Sequence, residues 1–284
     1  ATVSDKLYSI VFAEDTNTFL SGKNVNQLIT IMNQYMLKKL SLNVAKTHFI
    51  VFRSSAMRKP LITESLVING ETIKQEATTK FLGVIVDERL SWASHTTYIK
   101  SKIAKSIGIL YRAKRVLNMS TLRTLYNPFL YPYFNYANGV WGDTYDCYLN
   151  PLLKLQKRAI RMITNSGKYE HTHPLFRNLE ILQLKQIHTY KIGLIMFKVQ
   201  SYKTPAIFST LFKINKNVHS YHTRQSKKFH VPAARTNYMQ RAISVKGVRI
   251  WNQLSDLLSF DCSLLTFKHN LKRYLIESNM SYDF

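Results

Sequence analysis

The stretch Leu7-Tyr8-Ser9-Ile10-Val11-Phe12-Ala13-Glu14-Asp15 is an apolar run that ends in two adjacent acids. This pattern predicts a β-strand and a tight turn, with Thr18-Phe19-Leu20 returning as the second strand of a hairpin over residues 7–20. A rigid turn that presents two carboxylates can bind Mg²⁺, because hard cations take oxygen ligands. An ordinary surface turn is the alternative, since acidic residues are common in turns.

The first third of the chain, which includes this hairpin, is predicted to be rich in β-strands. Apolar residues at helical spacing predict one amphipathic helix over residues 24–40. Short strands are predicted over 48–52 and 81–86, and the Asn69-Gly70 pair predicts a hairpin between 66–68 and 71–73, because Asn-Gly is the strongest two-residue turn signal. Residues 1–88 are therefore predicted to be β-rich with one helix.

From Ser91 the pattern becomes helical. The apolar stripe Ile99, Ile103, Ile107 and Leu110 predicts a helix core face. Further helices are predicted over 120–133, 149–163 and 183–200 and near 240–255 and 263–277, with loops at 164–174 and 215–228. The fold class is thus α+β. The cations between the stripes are candidate nucleic-acid ligands, with a plain solvated face as the alternative: Lys100, Lys105, Arg112, Arg115, Lys154, Lys157, Arg158 and Arg161.

The charge distribution points to a polyanionic partner. The chain of 284 residues has 40 Lys and Arg against 16 Asp and Glu, a net charge of +24. Eight cations and no acid lie between Arg89 and Gly142, and thirteen cations and no acid between Ile181 and Ser255. Soluble surfaces usually mix both signs, so such stretches favour nucleic acid over the alternatives, a ribosomal or membrane-surface protein.

The cysteine content and the hydropathy further limit the classes of protein that fit this sequence. Cys147 and Cys262 are the two cysteines, which implies neither a disulfide framework nor a cysteine-based zinc site and fits a reducing compartment. No apolar run reaches the ~18 residues of a membrane span. The chain starts at Ala1, almost at a strand, and we expect it to be a fragment of a longer protein.

Six blocks in order resemble the C-terminal half of a non-LTR (LINE-type) retrotransposon reverse transcriptase. Phe12-Ala13-Glu14-Asp15-Thr16 is similar to the block at the family's metal site, and Leu42-Asn43-x-x-Lys46-Thr47 to the next block. Lys80-Phe81-Leu82-Gly83-Val84 with Asp87, Leu90-Ser91-Trp92 and His95 resembles the block that grips the primer and leads into the thumb. The later blocks are Leu125-Tyr126, Tyr136 and Val140-Trp141-Gly142; His222-Thr223-Arg224-Gln225; and Val231-Pro232, Trp251-Asn252 and Phe267-Lys268.

The resemblance implies an RNA-directed DNA polymerase, a nucleotidyltransferase that uses two metal ions. It implies a partial polymerase palm over 1–88, a helical thumb-like region over 89–165 and a mostly helical basic C-terminal region over 166–284. Glu14 and Asp15 would bind Mg²⁺, Lys46 would lie near the leaving pyrophosphate, with a surface lysine as the alternative, and Phe81, Leu82 and Gly83 would form the primer grip. The partners would be an RNA template and a DNA primer, or their hybrid, in the nucleus and cytoplasm.

Two departures from the family bear on activity. Glu14 stands where the family has aspartate, and the family's other palm aspartate precedes the position of Ala1. A longer side chain moves the carboxylate by about one carbon–carbon bond, whereas such sites tolerate ~0.5 Å. We therefore expect a truncated, inactive polymerase fragment of this transposable element. A non-catalytic nucleic-acid-binding remnant is the alternative.

Overall fold

The computed structural model describes residues 7–12, 15–36, 46–54, 62, 65–68, 70–201, 203–218, 224–255 and 262–278. The chain divides into two compact units, Ala1–His95 and Thr96–Phe284. The described residues are mixed α and β and mostly helical. The three-part division into palm, thumb and C-terminal region stays a prediction.

The strands of the first unit form four separate pairs within its described residues. The predicted first hairpin is confirmed, with β1 (Leu7–Phe12) antiparallel to β2 (Asp15–Leu20). Three shorter pairs follow: β3 (His48–Phe49) parallel to β6 (Lys74–Gln75), β4 (Val67–Ile68) antiparallel to β5 (Glu71–Thr72), and β7 (Thr78–Phe81) antiparallel to β8 (Val84–Asp87). A continuous palm sheet is therefore not seen in this part of the chain.

The core of the first unit is small. Helix α1 (Val25–Met36) packs on β4, and Ile29, Leu66, Ile68 and Ile73 are buried together. Asn33 on this helix binds the adjoining backbone twice, accepting from the Val67 N–H (2.9 Å) and donating to the Ser65 carbonyl (3.1 Å). The rest of the predicted 24–40 helix, from residue 37, lies outside the described residues.

The second unit is a helical assembly that begins within α2 (Ala93–Ala113). Its further helices are α3 (Met119–Phe129), α4 (Tyr131–Asn135), α5 (Asn138–Trp141), α6 (Asp146–Ile163), α7 (Thr172–Asn178), α8 (Leu184–Gln200), α9 (Ala206–Leu211), α10 (Asn237–Arg241), α11 (Val248–Leu254) and α12 (Leu264–Glu277). A π-helical turn at Ile243–Gly247 precedes α11. The predicted helices at 149–163, 183–200 and 263–277 are confirmed.

Helix α8 is the centre of the second unit. Helices α4, α5, α6, α11 and α12 all contact it. Its start carries a reciprocal cap between Gln183 and Gln186, and most of its circumference is buried. A methyl group on Gly193 would lie 2.8 Å from Leu271 Cδ2 and 3.3 Å from Leu254 Cδ1, so the glycine lets α12 approach closely.

Several predicted boundaries are wrong for local reasons. The 120–133 helix is interrupted at Leu130, since Pro132 has no N–H to continue the helical pattern. The 240–255 helix is broken at Ala242, whose backbone is extended. The 164–174 loop ends earlier, because α7 begins at Thr172. Segment 215–228 is tied at its base, where Ile214 pairs with Phe229.

Candidate nucleic-acid interface

The predicted metal ligands lie at the end of the first hairpin. Phe12 pairs with Asp15 in the β1–β2 register. Glu14 and the side chain of Asp15 lie outside the described residues. Elsewhere, the part of the chain that the structure describes brings no three His, Cys, Asp or Glu side chains together as a metal site. Mg²⁺ therefore stays a prediction tied to Glu14 and Asp15, and Lys46 is an exposed side chain.

The predicted primer grip is a reverse turn. The sequence predicts one strand over 81–86, but Phe81 pairs with Val84 across a two-residue turn. Leu82 and Gly83 both have left-handed backbones, with φ of 44° and 80°. Such a conformation costs a leucine about 1–2 kcal/mol, and Leu82 is still 41% exposed. Strain of this kind is concentrated at functional sites.

Asp87 organises the connection from β8 to α2. Its Oδ1 accepts hydrogen bonds from the Arg89 N–H (3.1 Å) and the Ser91 N–H (3.0 Å). Its Oδ2 accepts one from the Trp92 N–H at 2.8 Å. Trp92 and Leu90 have left-handed backbones, so these three bonds hold a tight, strained turn. The carboxylate therefore fixes where α2 starts.

His95 completes the same connection from the first turn of α2. The side chain is buried, and its Nδ1 accepts a hydrogen bond from the Ile85 N–H at 3.3 Å. Burial lowers the pKa of His95 from its usual 6.5 to about 4, because desolvation penalises the imidazolium. The ring is thus neutral at pH 7 and acts as an acceptor that joins β8 to the helix.

Helix α2 has one buried face and one mixed basic and aromatic face. The predicted stripe of Ile99, Ile103, Ile107 and Leu110 is buried, which confirms the core face. A row beside this stripe has residues at spacings of three and four, of which Lys102 is half-buried and the others are exposed: Tyr98, Lys102, Lys105, Ile109 and Arg112. We call these five residues the α2 face. Of the predicted cations, Lys100 is exposed outside this face, and Arg115 follows the end of the helix.

Rings and cations lie side by side at both ends of α2. Lys102 Nζ is 5.4 Å from the centroid of the Tyr98 ring. Arg115 and Lys114 lie 5.6 Å and 6.0 Å from the centroid of the Tyr111 ring. Tyr98 is 37% exposed and Tyr111 46%. Exposed rings beside cations suit a nucleic-acid strand, which offers phosphates and base or sugar faces together.

The four predicted cations of α6 fall into different environments. Lys154 and Arg158 are exposed and one helical turn apart, whereas Lys157 is half-buried. Arg161 turns to the following loop, where its Nε and Nη2 donate to the Glu170 carbonyl at 3.0 Å and 2.7 Å. In this arrangement Arg161 stabilises the 164–171 loop.

The later blocks supply core and hydrogen-bonding residues. Trp141, Trp251 and Phe267 are buried, and Phe267 stacks on Phe197 with ring centroids 4.4 Å apart. Asn252 donates to the Phe229 carbonyl (2.8 Å) and accepts from its N–H (3.2 Å). These residues therefore hold the second unit together.

Sequence reasoning missed two groups of residues in this region. Asp87 and His95 lie within a block that resembles the family, and the sequence predicts no separate role for either residue. Tyr98 and Ile109 are not among the predicted ligands, although they lie eleven residues apart with Lys102 and Lys105 between them, a spacing that places all four on one helix face. The signal for them is the presence of large apolar and aromatic residues at helical spacing from lysines within the acid-free stretch.

The chain has the composition and surface of a basic nucleic-acid-binding protein, and its curated relatives are reverse transcriptases of mobile elements. It is 25% identical over 146 residues to the probable RNA-directed DNA polymerase from transposon X-element of Drosophila melanogaster, which is 50% of this chain and 16% of that protein. It is 22% identical over 185 residues to the RNA-directed DNA polymerase from mobile element jockey of the same fly, 61% of this chain and 20% of that protein.

A third relative is the Retrovirus-related Pol polyprotein from type-1 retrotransposable element R1 of Bradysia coprophila. It is 26% identical over 158 residues, 51% of this chain and 15% of its own length. These relatives confirm the resemblance to non-LTR retrotransposon reverse transcriptases. The matched part spans no more than about a fifth of each relative. Neither a protein-family profile nor a solved structure matches the chain.

A membrane-spanning helix is not present among the described residues, since none of their helices is both long and apolar enough.

Proposed function

We propose that this chain is the hybrid-binding part of a non-LTR retrotransposon RNA-directed DNA polymerase. The proposal assigns residues 1–88 to a partial palm, 89–165 to a thumb and 166–284 to a basic C-terminal region. The observation that carries it is the α2 face, which lies in a stretch of 54 residues, Arg89 to Gly142, without an acid. The curated relatives support it, because they are polymerases that act on nucleic acid.

The α2 face suits a phosphate backbone. Tyr98 and Arg112 are fourteen residues apart, which corresponds to about 21 Å along the helix at 1.5 Å per residue. Lys102, Lys105 and Arg112 are spread along this length, so they can neutralise successive phosphates without reading base sequence. Tyr98 and Ile109 add apolar surface against sugars. Binding of this kind is electrostatic and non-specific.

The turn at Phe81-Leu82-Gly83 is proposed to contact the primer end. Gly83 lacks a side chain and permits a close backbone approach. Leu82 is exposed and has a strained left-handed backbone. A turn alone does not require leucine there, since asparagine adopts this backbone conformation at a lower energetic cost. Lys46 and the pair Glu14 and Asp15 are proposed as the remnants of the catalytic site, which in polymerases of this type depends on divalent metal ions.

The binding test removes two charges from the α2 face. In Lys105→Gln/Arg112→Gln, we expect the affinity for a fluorescent RNA–DNA hybrid to fall by at least ~10-fold at moderate salt. We also expect the slope of log affinity against log salt to decrease by about 1.5, because about two counterions fewer are released. Fluorescence anisotropy over a salt series gives both values.

The matched control is Arg177→Gln/Arg273→Gln, which removes the same charge from two exposed arginines of α7 and α12. We expect the affinity of this variant for the hybrid to fall by less than about 2-fold, a change typical of long-range electrostatics alone. Wild-type binding that does not respond to salt would contradict the proposed function. Equal losses of affinity in the two variants would show that the α2 face is not the binding site.

Catalysis gives a separate prediction. We expect no primer extension by the purified chain with Mg²⁺ or Mn²⁺, because Glu14 replaces the family's aspartate and the second palm carboxylate is not in this sequence. After fusion to the upstream fingers and palm of a relative, Glu14→Asp should raise the extension rate by at least ~10-fold, about 1.4 kcal/mol of barrier. Extension by the chain alone would favour an active enzyme over a non-catalytic binding remnant.

A further inference from the structure

A polar cavity of about 600 Å³ lies within the second unit, away from the α2 face. Its wall consists of the Gly142–Leu149 segment, one side of α8, helix α10 and the segment around Lys246–Ile250. This volume is within the ~300–1,000 Å³ of pockets that enclose a small ligand. The four wall segments come from distant parts of the sequence.

The cavity has an excess of positive charge. Lys185 pairs with Asp146 (3.0 Å) and Lys246 with Asp143 (3.3 Å). The other two basic residues of the wall, Arg241 and Arg249, form no ion pair with any acid among the described residues. Arg241 lies with its guanidinium 3.7 Å from the centroid of the Tyr145 ring, which holds it in place. The wall therefore carries two arginines that can bind an anion.

The same wall carries His188, whose ring offers a hydrogen-bond acceptor. Asp143 Oδ2 also makes no hydrogen bond to the described residues, but it is closed off from solvent, so a ligand in the cavity does not reach it. His188 is buried, and its Nδ1 lies 3.0 Å from the Asn138 carbonyl. Because a carbonyl can only accept, Nδ1 carries the proton, and Nε2 is the ring nitrogen left as an acceptor. Burial lowers the pKa of His188, so the ring is neutral at pH 7.

We propose that this cavity binds one unpaired nucleotide of a single-stranded nucleic acid. Arg241 and Arg249 would bind its phosphate, and Nε2 of His188 would accept a hydrogen bond from its base or sugar. A nucleotide carries its phosphate at one end and the donors of its sugar and base several ångströms away, so it can contact the arginines and His188 together, whereas the hydroxyl donors of inorganic phosphate lie on the anion itself. A cavity of about 600 Å³ has the size of a small-ligand site and not of a base-paired duplex, so the site would select single strands. The inference rests on the proposed nucleic-acid binding and adds a second, strand-selective site.

The test compares a labelled single-stranded octanucleotide with an RNA–DNA hybrid. In Arg241→Gln/Arg249→Gln we expect at least ~10-fold weaker binding of the single strand and less than about 2-fold loss for the hybrid, by fluorescence anisotropy. Gln240→Trp should weaken single-strand binding similarly without changing any charge, because the indole occupies the cavity. The control Arg177→Gln/Arg273→Gln should change single-strand binding by less than about 2-fold. Far-UV circular dichroism checks that each variant is folded.

Competition identifies the ligand chemistry. Displacement of the octanucleotide by a millimolar nucleoside monophosphate, but not by inorganic phosphate, would support recognition of the nucleotide unit, free or within a strand. Equal displacement by phosphate would overturn the proposal in favour of a simple anion site. Cavity variants that behave like the control, with normal hybrid binding by the wild type, would overturn this inference and leave the proposed function intact. Loss of all salt-dependent binding would instead refute the proposed function.

Discussion

His95 and Asp87 show how single residues of a polymerase-like block act in the fold. Three backbone N–H groups donate hydrogen bonds to the Asp87 carboxylate, and the Ile85 N–H donates one to the His95 ring. Both interactions fix the start of α2, the helix that presents the proposed interface. Residues of such a block can therefore have a structural role, because here they hold the first turn of a helix in place.

Acid should weaken this connection through His95. The pKa is about 4 in the folded chain and 6.5 in the unfolded chain, so the unfolded state binds the proton more readily. The stabilisation is complete above pH 6.5 and is lost as the pH falls towards 4, by up to about 3 kcal/mol. Hydrogen exchange of β8 and the first turn of α2, corrected for intrinsic rates, should show faster opening between pH 6.5 and 4.5.

The variant His95→Asn separates this effect from other titrations. The asparagine oxygen can still accept the Ile85 N–H but does not titrate in this range. We expect the acid-dependent part of the opening to disappear in this variant and to persist in His269→Asn, which replaces an exposed histidine of α12. An unchanged pH dependence in His95→Asn would assign the effect to other groups.

At the scale of elements, two helical glycines lie in contrasting environments: one at a close helix–helix contact and one on the surface of α2. Gly193 lies where α12 meets α8, and a methyl group there would contact buried Leu271 at 2.8 Å. Gly108 lies within exposed α2, where a methyl group would meet no atom within 4 Å. The same substitution should therefore have opposite effects in the two helices.

We expect Gly193→Ala to destabilise the second unit by about 1–2 kcal/mol, because overpacking outweighs the gain in helix propensity. Gly108→Ala should stabilise α2 by about 0.5–1 kcal/mol, since alanine favours the helix and nothing obstructs it. Urea unfolding followed by circular dichroism gives both values. Stabilisation by both substitutions would mean that α12 packs less closely on α8 than described.

At the scale of the whole molecule, the two units differ in the size of their cores. The buried apolar residues described in the first unit are Ile29, Leu66, Ile68, Ile73 and Val84. The second unit buries many more, including Trp141, Trp251, Tyr126, Phe134 and Phe267. Small cores leave a larger share of backbone hydrogen bonds exposed to opening.

We expect hydrogen exchange to be slow in the helices from Thr96 to Glu277 and fast over β1 to β3. The free energy of opening in the first unit should be lower, because only two of its four described strand pairs, β3–β6 and β4–β5, contribute residues to its small apolar cluster. Exchange measured by mass spectrometry on peptides from both units is the direct comparison. Uniformly slow exchange from residue 7 onward would show that the first unit is stable without further strands.

The sequence by itself determined the β-rich start, the helical remainder, the basic stretches and the resemblance to reverse transcriptases. These properties follow from local periodicity, net charge and ordered blocks, all of which can be read along one dimension. It also predicted the α2 stripe correctly, because a helix repeats every 3.6 residues whatever surrounds it.

Only the tertiary structure decided which polar side chains form hydrogen bonds and cation–π contacts within the protein. Arg161 binds a backbone carbonyl, Asn252 binds the Phe229 backbone, and Arg241 stacks on Tyr145, which is 96 residues away in sequence. The turn at Leu82-Gly83 was hidden by an apolar run, since leucine does not signal a left-handed backbone. Such contacts join residues that are distant in the chain, so neither spacing nor residue type alone can reveal them.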